Sequence, residues 1–158
     1  MIRLLTACFA AFLMASPPLA ASAAGHADEH GVVTIKSAHN VATTIDRLAA
    51  AVEGAGANVF ARIDHAAGAE KAGMALRPTT LLIFGNPKIG TPALQAGQSI
   101  GMDLPLRVVA WEDEAGETWL SYTDPQAMAA RHGVPEDNPG VMKMVGALGK
   151  LTGKATSP

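Results

Sequence analysis

Apolar positions along this chain change rhythm from segment to segment, and the rhythm predicts the elements. Val41, Ile45, Leu48 and Val52 recur at helical spacing, which predicts a helix of about 13 residues that Gly54 and Gly56 stop. Short runs rich in β-branched residues predict strands at VVTIKS (Val32 to Ser37), NVFARI (Asn58 to Ile63), TTLLIF (Thr79 to Phe84), LRVVAW and TWLSY. The middle of TTLLIF is apolar without interruption, as expected of a strand central in its sheet. Arg77 precedes Pro78, which favours an extended approach to that strand. Between LRVVAW and TWLSY the acidic EDEAGE, with Gly116 near its end, predicts a hairpin tip. Trp111 and Trp119 flank the tip and are expected to pack across it as core or dimer contacts. Ala66 to Gly73, AAGAEKAG, reads as a short helix or an irregular segment.

Thr91-Pro92, Asp124-Pro125 and Asn138-Pro139 each place a capping side chain directly before a proline. The side-chain oxygen accepts an orphan N–H and proline suits the first helical position, so helices are predicted to begin at Pro92, Pro125 and Pro139. The last carries Met142, Val145 and Leu148 along one face, and the chain after Leu151 is expected to be loose.

The N-terminal segment has a different character. Arg3, the apolar Leu4 to Ala15, Pro17-Pro18 and then Ala21-Ser22-Ala23 follow the order of a secretory signal, too short for a spanning helix. Residues 1–23 are therefore expected to be a leader, and the protein to be exported, periplasmic or secreted. Cys8, the single cysteine, falls inside that leader, so the mature chain is expected to have no disulfide, thiolate metal site or cysteine nucleophile. Residues 24–31, AGHADEHG, read as a disordered arm. The remainder is long enough for one domain with one core. With 12 Lys and Arg against 14 Asp and Glu, and no basic patch interleaved with aromatics, nucleic acid is not expected as a partner. No later apolar run has the length to cross a membrane.

Gly85 to Gly90 matches the spacing of a phosphate-binding loop, G-x-x-x-x-G. Thr91 and Pro92 follow where Lys and Ser or Thr are required, and proline removes a backbone donor from the cradle. The stretch reads better as a turn at Gly85 and Asn86-Pro87 leading to a helix capped by Thr91. A helix N-terminus with Lys88 beside it would suit a carboxylate or another anion.

From about Val32 to Gly133, the stretches IDHAAGAEKAGMALRPTTLLIFGNPKIGTPAL, GMDLPLRVVAWEDEAGETWLSYTDP and ARHG resemble the domain-of-unknown-function 302 family. The resemblance implies a single compact α+β domain, an antiparallel sheet of about four to five strands with helices packed on it, often a homodimer. It implies no known reaction. Residues 134–158 fall outside the resemblance and read as a C-terminal helix and tail.

Chemistry-bearing residues are few. His65, Asn86, Lys88 and Asp103 form a candidate pocket for a small or anionic ligand. Asp64 and His65 are neighbours on an extended segment and point to opposite faces, so they cannot simply act as an acid–base pair. The acidic hairpin tip lacks calcium-loop spacing. GQSIG, Gly97 to Gly101, mimics a serine nucleophile elbow but is predicted to lie inside a helix rather than on a strand-to-helix turn. His39 and His132 fall at predicted helix ends, where surface roles are ordinary. The leading expectation is an exported, non-catalytic binding or accessory domain; the alternative is an enzyme using His65 and Asp103. Cleavage after Ala23 would also expose Ala24, Gly25 and His26. A free amine, two amides and an imidazole in that order can surround Cu(II) or Ni(II) with four nitrogens.

Overall fold

A computed structural model describes residues 25–158. The expected leader, and Ala24 with it, lie outside the described residues. Five strands form one antiparallel sheet: β1 (Val32–Lys36), β2 (Asn58–Asp64), β3 (Thr79–Gly85), β4 (Leu106–Glu112) and β5 (Thr118–Thr123), in the order β1-β5-β4-β3-β2. The helices are α1 (Val41–Gly54), α2 (His65–Lys71), α3 (Pro87–Ala96), α4 (Pro125–Arg131) and α5 (Pro139–Thr156). A 3-10 turn, Gln98–Met102, joins α3 to β4. This is the α+β single domain that the sequence implies.

Strand alternation decides which side chains meet the helices. In β3, β4 and β5 the buried set includes Leu82 and Phe84, Leu106, Val108 and Ala110, and Leu120. These pack with Ile45, Leu48 and Val52 of α1 and with Val141, Met144 and Leu148 of α5 in one core. Fully burying a Leu, Ile or Phe side chain contributes about 1.5–3 kcal/mol, so this shared face holds the layers together. β3 pairs on both sides, but the middle strand is β4. Only alternate β3 residues are buried, whereas Leu81 and Ile83 on the opposite face are half-buried. On that second face Trp111 stands opposite Trp119 in register, with ring centroids 6.4 Å apart, as expected of the hairpin pair.

Each of the five α-helices among the described residues opens on Asn or Asp. The side chains of Asn40, Asp64, Asn86, Asp124 and Asn138 accept from backbone N–H groups of the first turn. Pro125 and Pro139 begin helices as predicted, but Pro92 does not. Asn86-Pro87 uses the same capping device five residues earlier, and Pro92 falls inside α3. Proline there leaves α3 one internal hydrogen bond short, while its carbonyl accepts from Asn138 Nδ2 at 3.1 Å.

Three further expectations need correction. α5 buries Val141, Met144, Leu148, Leu151 and Ala155, whereas Met142 is 52% exposed. Alternating three- and four-residue steps keep a stripe on one face, which the three-residue spacing of Met142, Val145 and Leu148 does not. The chain beyond Leu151 is not loose: α5 continues to Thr156. Thr152 and Thr156 are buried because their hydroxyls donate to the carbonyls of Leu148 and Thr152. Arg47 holds the end of α5 by donating to the carbonyls of Lys154 and Ser157, each at 2.9 Å. The described part of the arm, residues 25–31, is an ordered turn. Asp28 accepts from the N–H groups of His30 and Val32, Gly31 has a φ of 75°, and Ala27 bridges to Val33.

Candidate functional site

The end of β3 and the start of α3 are built by local chemistry. Asn86 Oδ1 accepts from Lys88 N–H at 2.9 Å, and the Asn86 carbonyl accepts from the N–H groups of Ile89 and Gly90. The donors that a phosphate would need are therefore already engaged, and the G-x-x-x-x-G spacing here is a strand end and a helical turn. Asn86 Nδ2 donates to the Gly56 carbonyl at 3.1 Å, tying this corner to the end of α1.

Behind the corner lies a cavity of about 430 Å³. Phe84 and Gly85 with Asn86, Pro87, Ile89–Thr91 and Leu94 form one wall, and Gly101 with Leu104–Leu106 another. Ala55, Ala57 and Phe60 close it from the α1–β2 side, and Met144, Ala147 and Leu151 of α5 complete it. The volume falls in the range usual for small-molecule sites. At about 30 Å³ per small group it has room for roughly a dozen non-hydrogen atoms. A β-carbon on Gly85 would lie 3.4 Å from the Phe60 ring and 3.5 Å from Pro105 Cβ, so glycine keeps the gap between these side chains clear. Among the lining side chains only Asn86 and Thr91 are polar, and Asn86 is committed to the turn. Lys88 is exposed and follows in sequence between the lining residues Pro87 and Ile89, without lining the cavity itself. The cavity can enclose an aliphatic body, with the Thr91 hydroxyl among its lining groups.

The four residues proposed from sequence do not gather into one pocket. Asn86 and Lys88 sit at this corner. The β2–β3 register pairs Asn58 with Gly85 and Asp64 with Thr80, which puts His65 at the far end of the sheet. At about 3.3 Å per residue, it stands on the order of 20 Å along β2 from this corner. Asp103 follows the 3-10 turn and meets His132 instead, with His132 Nε2 2.9 Å from Asp103 Oδ2. His132 Nδ1 lies 3.0 Å from Ser99 Oγ, and Arg131 approaches Asp103 Oδ2 at 3.7 Å. Ser99 lies on a 3-10 turn rather than inside the helix that the sequence predicts for GQSIG, and His132, at a helix end as expected, is engaged through both ring nitrogens instead of taking an ordinary surface role. The resemblance of GQSIG to a nucleophile elbow was the available signal.

Gly25 packs against β1: a β-carbon there would lie 2.8 Å from Val33 Cγ1, and His26 is exposed beside it. Among the described residues no group of three His, Cys, Asp or Glu is placed to hold a metal ion.

The family model described as Domain of unknown function DUF302 matches residues 33–151. The chain belongs to the DUF302 family. The match includes α5 as far as Leu151, so the C-terminal helix is part of the family's domain. Proteins of Brucella suis and Brucella abortus, each named Fluoride-specific ion channel FluC 1, are 46% identical to this family member over 128 residues, or 81% of the chain. The chain covers 48% and 46% of their lengths, respectively, and so spans less than half of the curated relatives it matches. The crystal structure of an uncharacterized conserved DUF302 protein from Bacillus stearothermophilus superposes with a TM-score of 0.71 at 17% identity, covering 79% of this chain and 98% of the other. That likeness is one of fold.

Proposed function

We propose that this DUF302 chain is an exported binding or accessory domain that takes a small amphiphilic anion, its aliphatic body in the cavity and its charged end toward Lys88. One observation carries this reading: a cavity of about 430 Å³ whose lining is apolar apart from Thr91 and the turn-forming Asn86. Apolar lining with few polar groups is the usual make-up of a small-molecule site. The names of the Brucella relatives bear on the accessory part. No described helix here is long and apolar enough to cross a membrane, so the described residues would correspond to a part of such a protein outside its pore. Fluoride itself suits the cavity poorly, since transferring a bare ion to an apolar site without donors is very costly. The homodimer and the export remain parts of the proposal that rest on the family resemblance and on the N-terminal sequence.

The test uses decanoate, decanol and an environment-sensitive naphthalene dye. Decanoate is expected to displace the dye and to bind more tightly than decanol. Ala147→Phe, which fills the cavity from α5, should weaken both ligands at least tenfold while leaving the thermal midpoint near that of the parent protein. Lys88→Ala should remove the preference for decanoate. A lysine on an exposed turn contributes within about 0.5 kcal/mol to folding, so stability should hardly move. Equal binding to the parent protein and to Ala147→Phe would defeat the reading.

A further inference from the structure

The cluster on the other side of the 3-10 turn has a different chemistry from the cavity. Ser99 Oγ, both ring nitrogens of His132 and Asp103 Oδ2 form a continuous chain with contacts of 3.0 and 2.9 Å. We propose that Ser99, His132 and Asp103 form a nucleophile, base and orienter that cleave small carboxylic esters presented at the surface. Ser99 is not among the cavity-lining residues and is exposed, so the substrate approaches from solvent and the proposal stands independently of the cavity.

The arrangement is held from both sides. Ile100, fully buried, anchors the turn, and Ser99 beside it stays at the surface. A β-carbon on Gly97 would lie 2.9 Å from Val134 Cγ2 and 3.1 Å from the His132 carbonyl, so glycine lets the turn sit directly against the segment that carries the histidine. Asp103 N–H donates to the Ile100 carbonyl at 2.9 Å, closing the turn with its carboxylate beside His132. The histidine and aspartate side chains are only 10% and 20% exposed, so their mutual contact is largely shielded from competing water. Fixed geometry of this kind is what a base needs in order to act on a neighbouring hydroxyl.

The roles follow from the contacts. Asp103 accepts from Nε2–H, which leaves the Nδ1 lone pair facing the Ser99 hydroxyl. In the familiar serine triad the two ring nitrogens are used the other way round, but either nitrogen can accept and return a proton. Ser99 Oγ attacks the ester carbonyl carbon as its proton passes to His132 Nδ1. Collapse of the tetrahedral adduct breaks the bond to the alkoxy oxygen, which leaves with the proton from Nδ1. Water then adds to the acyl-Ser99 carbonyl, again giving its proton to Nδ1. That proton returns to Ser99 Oγ as the carboxylic acid departs. The sum is ester and water to acid and alcohol, with no redox partner.

The experiment incubates the purified full-length protein with 4-nitrophenyl acetate and, separately, with a fluorophosphonate probe followed by peptide mass mapping. The expected result is an adduct on Ser99 and ester hydrolysis that falls at least about 100-fold in Ser99→Ala and in His132→Gln, the scale of general-base assistance. Circular dichroism melts establish that each variant is folded. A purely structural tie between the turn and α4 would shift the melts without producing labelling. Absence of label from Ser99 in the parent protein overturns the proposal, and so does equal hydrolysis by the parent and a folded Ser99→Ala. Should a variant fail to fold, the labelling of the parent protein decides alone.

Discussion

Asp113 shows how a single side chain holds a hairpin. Its Oδ1 accepts from the N–H groups of Ala115 and Glu117, each at 2.9 Å, and its Oδ2 accepts from Trp119 Nε1 at 2.7 Å. The indole donor above all, with the Glu117 N–H, lowers the carboxyl's pKa below its ordinary value. The folded chain thus resists a proton that the unfolded chain accepts. The stability from this group is present above the ordinary carboxylate value of about 3.9 and is lost as pH falls through the depressed value. Tryptophan emission should therefore report loosening of the hairpin tip only at pH below the usual aspartate range. In Asp113→Asn that acid step should shrink and the neutral-pH melting temperature should fall. An acid transition of unchanged size in the variant would assign it to other carboxylates.

At the scale of elements, the close approach of α3 and α5 depends on Gly140. A β-carbon there would lie 2.6 Å from the Ile89 carbonyl oxygen and 3.2 Å from Ala93 N, both backbone atoms that cannot swing aside. Gly140→Ala should force the two helices apart, costing about 1–3 kcal/mol as overpacking usually does. The fall in melting temperature should then be roughly 2–12 °C for a domain of this size. Because Ile89 and Met144 from these two helices line the cavity, ligand binding should weaken as well. An unchanged melting temperature would mean that the helix contact is softer than these distances indicate. Helix starts were legible to the extent that local chemistry fixes them: Asp124-Pro125 and Asn138-Pro139 each open a helix. Thr91-Pro92 carries the same local chemistry, yet Asn86-Pro87 upstream begins the helix and Pro92 is carried inside it.

For the whole molecule, the association implied by the family resemblance is tested by light scattering. A homodimer is expected at tens of micromolar, since interfaces of standard size hold at far lower concentrations. A monomer there would remove the dimer from the proposed function. The matched family model ends at Leu151 within α5, and α5 packs on both α1 and α3. Its contribution to the core makes a truncation before Pro139 expected to abolish folding, not merely to trim a tail.

The sequence by itself determined the strands, the main helix α1, the hairpin and its tryptophan pair, because each depends on side-chain periodicity or turn chemistry within a dozen residues. It also carried the family, through stretches such as FGNPKIGT and DLPLRVVAWED. What only the tertiary structure decided is which distant residues meet. Antiparallel pairing of β2 with β3 separates His65 from Asn86, although both lie near predicted element ends. The 3-10 turn after α3 brings Ser99 and Asp103 to His132, about 30 residues away along the chain, where no local pattern could place them. The cavity likewise has walls from the α1–β2 connection, β2, β3, α3, β4 and α5, and its volume depends on how those elements pack rather than on the composition of any one of them.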